Sequence, residues 1–281
     1  MSTDTSQQYS VIGAYDRHAA RIAVDESGVL AMADGLLYHA RQLLNGEIQA
    51  GNVHAVVLSI LFGRVLSGVH GAIVLRRTGL PVEANTVLRS AMEAGFRLGA
   101  IALRPELLED YLGEGPGARE RAISDLEALR DAGSPLHPSI TNEKMVKVRR
   151  DIDRERQECI RRSSKPKLRT RGVFDWAREA NQIDLFHAKY LMLSQAAHHS
   201  VRDLERSMVI PSDGVIKALR FAPVTIDLSL AIADAMVILA RAVEAFATAM
   251  DRAVPPAFEA GYAGVKAIHA RAAADFDEAR S

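Results

Sequence analysis

The sequence predicts an all-α protein, a helical bundle of seven to nine helices with two central apolar helices and a charged peripheral arm. Three observations predict it. Apolar residues recur at three- and four-residue spacing almost throughout, the period that lines one face of a helix. Alternating runs of β-branched and aromatic residues, which would mark strands, are hard to find. Gly, Pro and Asn gather where helices would have to turn, as at Asn45-Gly46, Gly79 with Pro81, and Pro255-Pro256.

In chain order, residues 1–10 read as a disordered polar tail with no basic or apolar stretch of a secretory signal. A helix is expected over about Tyr15–Asn45, with a break near Ser27-Gly28, and Asn45-Gly46 can stop it. The next starts after Asn52, a residue type that caps free backbone N–H groups, and runs to Arg77. A third spans Val82–Leu103. The turn before it is short, so it should lie antiparallel to its predecessor.

A short helix over Leu107–Leu112 is expected to end at Gly113-Glu114-Gly115-Pro116-Gly117, a loop by composition. Further helices follow over Ala118–Asp131, Thr141–Arg162, Val173–Asn181, Asp184–Met208, Pro223–Arg252 and Ala257–Ala279. The helices over 52–77 and 223–252 are apolar almost all round, which places them at the centre. Residues 11–281 are expected to form a single composite helical domain, with 141–172 as its charged arm or insertion.

Lys plus Arg number 35 and Asp plus Glu 35, so the formal net charge of the 281 residues is zero. That excludes a generally basic nucleic-acid wrapper. It hides a local excess of seven positive charges between Glu143 and Arg171. Arg161, Arg162, Lys165, Lys167, Arg169 and Arg171 fall there with no acid among them, and could hold the phosphates of RNA. The same segment reads equally as a solvated arm.

The single cysteine, Cys159, rules out an internal disulfide and any multi-cysteine metal site. No Glu-x-x-His pair is present, so neither a metal nor another cofactor is expected. The longest apolar windows are interrupted by Arg64 and by Asp227, Asp234 and Arg241. Neither offers an uncharged span of about 20 residues. The reading is a soluble cytoplasmic protein that makes no membrane contact.

Three groups of residues could carry chemistry. Arg64 is the one fixed charge in HAVVLSILFGRVLSGVHGAIVL, and His70 lies six residues on. A guanidinium surrounded by apolar residues is expected to be buried, and buried it must find a partner. It could position an anion in a polar pocket with His70 as acid or base, or it could be tied to an internal carboxylate. Arg89, Glu93 and Arg97 follow at four-residue steps and share one helix face, where they can pair. Glu93 is a candidate to neutralise Arg64 or Arg89. Tyr190, Ser194, His198 and Arg202 also repeat every four residues, either as the wet side of an amphipathic helix or as a wall of the same pocket.

The run GLPVEANTVLRSAMEAGFRLGAI resembles an uncharacterised bacterial all-helical family, through Arg-Ser-x-x-Glu at Arg89, Ser90 and Glu93. Its later signature resembles Trp176 followed by Tyr-x-x-x-Ser-x-x-x-His at Tyr190, Ser194 and His198. The match covers roughly residues 53–205. Some relatives look like the HEPN class, in which an Arg-x4–6-His motif cleaves RNA without metal in toxin and anti-phage systems. Arg64 to His70 has that spacing, with Val65 where the motif has a polar residue. The resemblance implies a metal-independent ribonuclease, often paired as a homodimer. Arg64 would stabilise the phosphate, His70 or His198 would move the proton, and Arg89, Glu93, Tyr190, Ser194 and Arg202 would bind or orient. The alternative is a non-enzymatic scaffold or sensor whose polar cluster is structural.

Overall fold

The computed structural model describes residues 11–49, 51–132, 141–162, 170–197, 208–209, 218–219, 223–224 and 227–278. The chain is all-α, as the hydrophobic period predicts. Two two-residue strands, β1 (Met208–Val209) and β2 (Ala218–Leu219), pair antiparallel and are the one departure among the described residues. The chain divides into two compact units: Met1–Leu103 with Ala177–Ser281, and Arg104–Trp176.

The first unit begins with α1 (Val11–Asp25) and α2 (Ser27–Gln42), which part at Glu26, beside the expected break. Then comes α3 (Val53–Arg77), where Asn52 caps the first turn by accepting from the Ala55 N–H at 3.1 Å. After Gly79, α4 (Pro81–Leu103) opens on a proline, whose missing N–H costs nothing in a first turn. α4 buries Leu88, Ala91, Met92, Leu98 and Ile101, the expected apolar side.

α3 and α4 pack most extensively, and Gly68 permits it. A Cβ added there would lie 2.7 Å from the Ala91 Cβ, so the helices could not approach as closely with any side chain. The long C-terminal helix α10 (Leu228–Ala249) closes the core against both, and α11 (Pro256–Glu278) packs on α10 and α2. Phe62 of α3 and Phe246 of α10 stack at 4.4 Å with their planes 7° apart, both fully buried. Burying such a side chain contributes about 1.5–3 kcal/mol.

The segment expected as one helix from Asp184 is more complex. It runs as α8 (Ile183–Leu185), continues as a π-helix over Phe186–Tyr190, and resumes as α9 (Leu191–Ala197). The wider π turn shifts the phase of the residues that follow. Tyr190, expected on the polar stripe, is 6% exposed and packed. The same helix packs against α4.

The second unit is a helical hairpin of α5 (Leu107–Asp131) and α6 (Asn142–Arg162), with the first residues of α7 (Val173–Glu179). The expected loop at Gly113–Gly117 is instead the interior of α5, with Pro116 buried. Tertiary contact overrides the local breakers here. Trp176 of α7 packs edge-on to Tyr111 at 6.3 Å, and its indole N–H donates to Glu114 at 2.9 Å.

The hairpin has a small apolar core of Ile123, Met145 and Ile152. Between these lie ion pairs, Arg149 with Glu127 and Arg156 with Glu120. The described part of the charged segment over 142–162 is therefore a helix that pairs with α5. Counting the run 183–197 once, the described residues form ten helices, against seven to nine expected.

α3 is long and apolar enough to cross a bilayer by length and composition. It packs one side against α4 and α10. Its other side exposes Arg64, Ser67 and His70 beside Ile60 and Val74.

Candidate functional site

Arg64 corrects the expectation of burial. It lies on the open side of α3 and makes no ion pair or hydrogen bond among the described residues. The reason is that α3 is apolar on nearly every side, so its sequence does not say which side faces the core. Val65, Leu66 and Val69 are buried, which turns Arg64 and His70 outward. Six residues of helix rise about 9 Å and separate the two side chains by about 120°. Ser67 is exposed between them, and α3 carries no Asp or Glu.

Among the described residues His70 has one hydrogen-bond partner. Arg41, near the end of α2, brings its Nη2 to 3.3 Å from His70 Nδ1. A guanidinium only donates, so in this contact Nδ1 accepts and the ring proton sits on Nε2. The exposed side of α3 thus presents Arg64, the imidazole and Arg41 to solvent, with no carboxylate on α3 itself. Glu93, a candidate partner for Arg64, pairs elsewhere.

Glu93 pairs with Arg89 and Arg97, as their four-residue spacing predicts. Arg89 Nη2 stands 3.3 Å from Glu93 Oε1, and Arg97 Nη1 is 3.8 Å from Oε2. Arg97 also donates to the Glu93 backbone carbonyl at 3.1 Å. Tyr190, delivered by the π-helix, closes the group. Its hydroxyl donates to Glu93 Oε1 at 2.8 Å and accepts from Arg89 Nε and Nη2 at 3.2 and 3.1 Å.

The Tyr190 ring stacks on Phe186 at 5.0 Å and lies 6.1 Å from Phe96. Burial raises the phenol's pKa; the Arg89 bond opposes that and the Glu93 bond adds to it. A protonated phenol is the form that can donate to Glu93. The three charged side chains are about three-quarters buried, and Ser90, next to Arg89, is exposed. The network carries one positive charge more than its acid.

The remaining expected residues divide. Ser194 is half-buried on α9. His198 and Arg202 lie outside the described residues, as do Lys165, Lys167 and Arg169 of the basic arm. Arg161 is exposed at the end of α6 and paired with Glu158.

Arg171 is a correction. It pairs with Asp110 at 2.9 Å, the two side chains being 10% and 1% exposed, and its guanidinium lies over the Trp176 ring. A buried carboxylate needs its cation, so Arg171 is structural and not free for a phosphate. No described group of three or more His, Cys, Asp or Glu side chains could hold a metal ion.

Sequence reasoning missed a second polar cluster. Lys189 of the π-helix meets Asp234 of α10 at 2.7 Å, and His269 of α11 lies 3.5 Å from the same carboxylate. The only signal was Asp234 itself, an acid inside an apolar helix, which marks a partner without saying which.

The class defined by these observations is an all-helical protein with a polar network set on one face of its bundle core. The family of unknown function DUF5677 matches residues 55–215, more than half of the chain, and the chain belongs to that family. Arg64, His70, Arg89, Glu93, Tyr190, Ser194 and His198 all fall in the matched stretch. No curated protein matches the chain, and no solved structure does.

Proposed function

We propose that this chain is a HEPN-like, metal-independent ribonuclease of the cytoplasm, acting in stress response or anti-phage defence, and paired as a homodimer. The observation that carries the reading is Arg64, an exposed guanidinium with no ion pair among the described residues, on a helix side that also exposes His70. An arginine held for structure would be paired; this one is available to an anion.

In the proposed reaction the ribose 2′-hydroxyl attacks the adjacent phosphorus and loses its proton to His70 or His198. The 5′-oxygen leaves with the proton that the histidine returns, giving a 2′,3′-cyclic phosphate and a 5′-hydroxyl. Arg64 stabilises the charge that builds on the phosphate oxygens. For His70 to take the proton, Arg41 must release Nδ1. Arg89, Glu93 and Tyr190 set the geometry of α4 and the π-helix. RNA would be held along α6, where Lys147 and Arg150 are exposed.

The test is a mixed RNA pool incubated with purified protein in chelator. The reading predicts cleavage to cyclic-phosphate ends, lost in Arg64→Ala and His70→Ala. RNA left intact, or an Arg64→Ala protein as active as its parent, would overturn it.

A second reading has one observation in its favour. The Arg89–Glu93–Tyr190 network satisfies itself within the protein, which suits a scaffold or sensor whose polar groups fix helix register. Under that reading Arg64→Ala changes no activity and Glu93→Gln lowers stability alone.

A further inference from the structure

The cavity that answers best to a ligand lies away from α3. It is about 230 Å³ and opens between the end of α4, the turn at 180–182 and the C-terminal half of α10. Sites for drug-sized ligands run about 300–1,000 Å³, so this one suits a single small ring system.

Its distinctive group is Gln182. The residue is 8% exposed, lines the cavity, and its side chain makes no hydrogen bond to any described residue. Its carboxamide atoms are open to the cavity and unpaired within the described protein, so a ligand that enters meets a free donor beside a free acceptor. The site is also built to bring it there. A Cβ on Gly99 would fall 3.0 Å from Gln182 Nε2 and 3.1 Å from the Ala180 Cβ, so the glycine makes room for the turn. Asn181, in the left-handed region at φ 56°, sets the turn and adds a second carboxamide to the lining.

Charge at the mouth restricts the ligand. Arg241 is shared by Asp184 at 3.8 Å and Glu244 at 3.9 Å. Two acids to one base leave no welcome for a phosphate or carboxylate. Leu103, Ala102 and Ala245 supply apolar walls. A flat neutral ring fits them, and a carboxamide offers it a donor beside an acceptor.

We infer that this cavity binds a neutral nitrogen heterocycle with adjacent hydrogen-bond donor and acceptor, the edge of a nucleobase, through Gln182. The inference does not depend on RNA cleavage. The base could come from a free nucleoside or from an unpaired position in RNA.

Calorimetric titration of the full chain with adenosine, guanosine, cytidine and uridine tests it. At least one binds at millimolar concentration or below, and its 5′-monophosphate binds no tighter. Gln182→Met removes the amide at nearly constant length, and Ala245→Phe fills the cavity from the other wall without touching Gln182. Each weakens binding at least about tenfold while the thermal transition stays cooperative. A short unstructured RNA that displaces the nucleoside assigns the base to RNA; one that does not assigns it to the free nucleoside. No binding by any of the four, or equal binding by parent and both variants, overturns the inference.

Discussion

Arginine–carboxylate pairs occur in both units, and they do different work in each. In the first unit the pairs Arg89–Glu93 and Arg97–Glu93 sit on a helix already secured by a large apolar core. Tyr190 completes them, and the network adds register rather than bulk stability. Where α5 meets α6 in the Arg104–Trp176 unit the apolar cluster is three side chains, so Arg149–Glu127 and Arg156–Glu120 lie beside the apolar contacts and set how the two helices meet. The same chemical pair is a positioning device where burial is ample and part of the pairing itself where burial is scarce. The scarce case is also the more exposed to salt and acid, since its partners lie nearer water.

Phe62→Ala removes half of the buried stack with Phe246 and costs about 3–5 kcal/mol, read as the shift in the denaturation midpoint. An Ile123→Ala change in the hairpin costs about 2 kcal/mol. Hydrogen exchange should place its loss of protection in α5 and α6 and leave α3, α4 and α10 unchanged. Equal loss in both units would refute their separate cores.

Tyr190→Phe comes next, at about 1–2 kcal/mol, because Arg89 and Glu93 still pair when the hydroxyl goes. Its pH dependence has a definite sign. The folded phenol's pKa is raised, so Tyr190's contribution is complete below about pH 10 and is lost as the pH climbs through the folded value. The gap between parent and variant therefore closes on the alkaline side.

Glu127 behaves oppositely. Its hydrogen bond from Arg149 lowers its pKa. Its contribution is present above about pH 4.3 and is lost as the pH falls through the folded value. Glu127→Gln has the smallest effect of the set and vanishes near 1 M salt, where charges are screened within about 3 Å. A salt-independent Glu127→Gln would show that the pair adds nothing electrostatic.

Much of the fold was legible because local signals agreed. The Asn52 cap, the Pro81 start and the buried side of α4 all follow from residue type and spacing. The Arg89–Glu93–Arg97 pairing was legible for the same reason, being local to one helix. What was not legible depends on neighbours far along the chain. α3 is apolar around most of its circumference, so nothing local turned Arg64 outward. The breakers at Gly113–Gly117 lost to Trp176, and Arg171 looked like part of a basic run until Asp110 met it. The interruption of the helix by a π segment over Phe186–Tyr190 left no mark on the spacing, which assumes an unbroken period of 3.6 residues. Gln182 carried no sequence signal at all; only its burial beside Gly99 distinguishes it.

RNA cleavage, if it occurs, takes place on the open side of α3, where Arg64 and His70 are exposed. Parent, Arg64→Ala and His70→Ala proteins are compared for cleavage of a defined single-stranded RNA in chelator, with thermal transitions recorded alongside. The account predicts that the parent cuts to a 2′,3′-cyclic phosphate and that both variants, folded as stably as the parent because Arg64 and His70 are exposed, do not. Cutting by the Arg64→Ala protein at the parent's rate, or none by the parent, would contradict it.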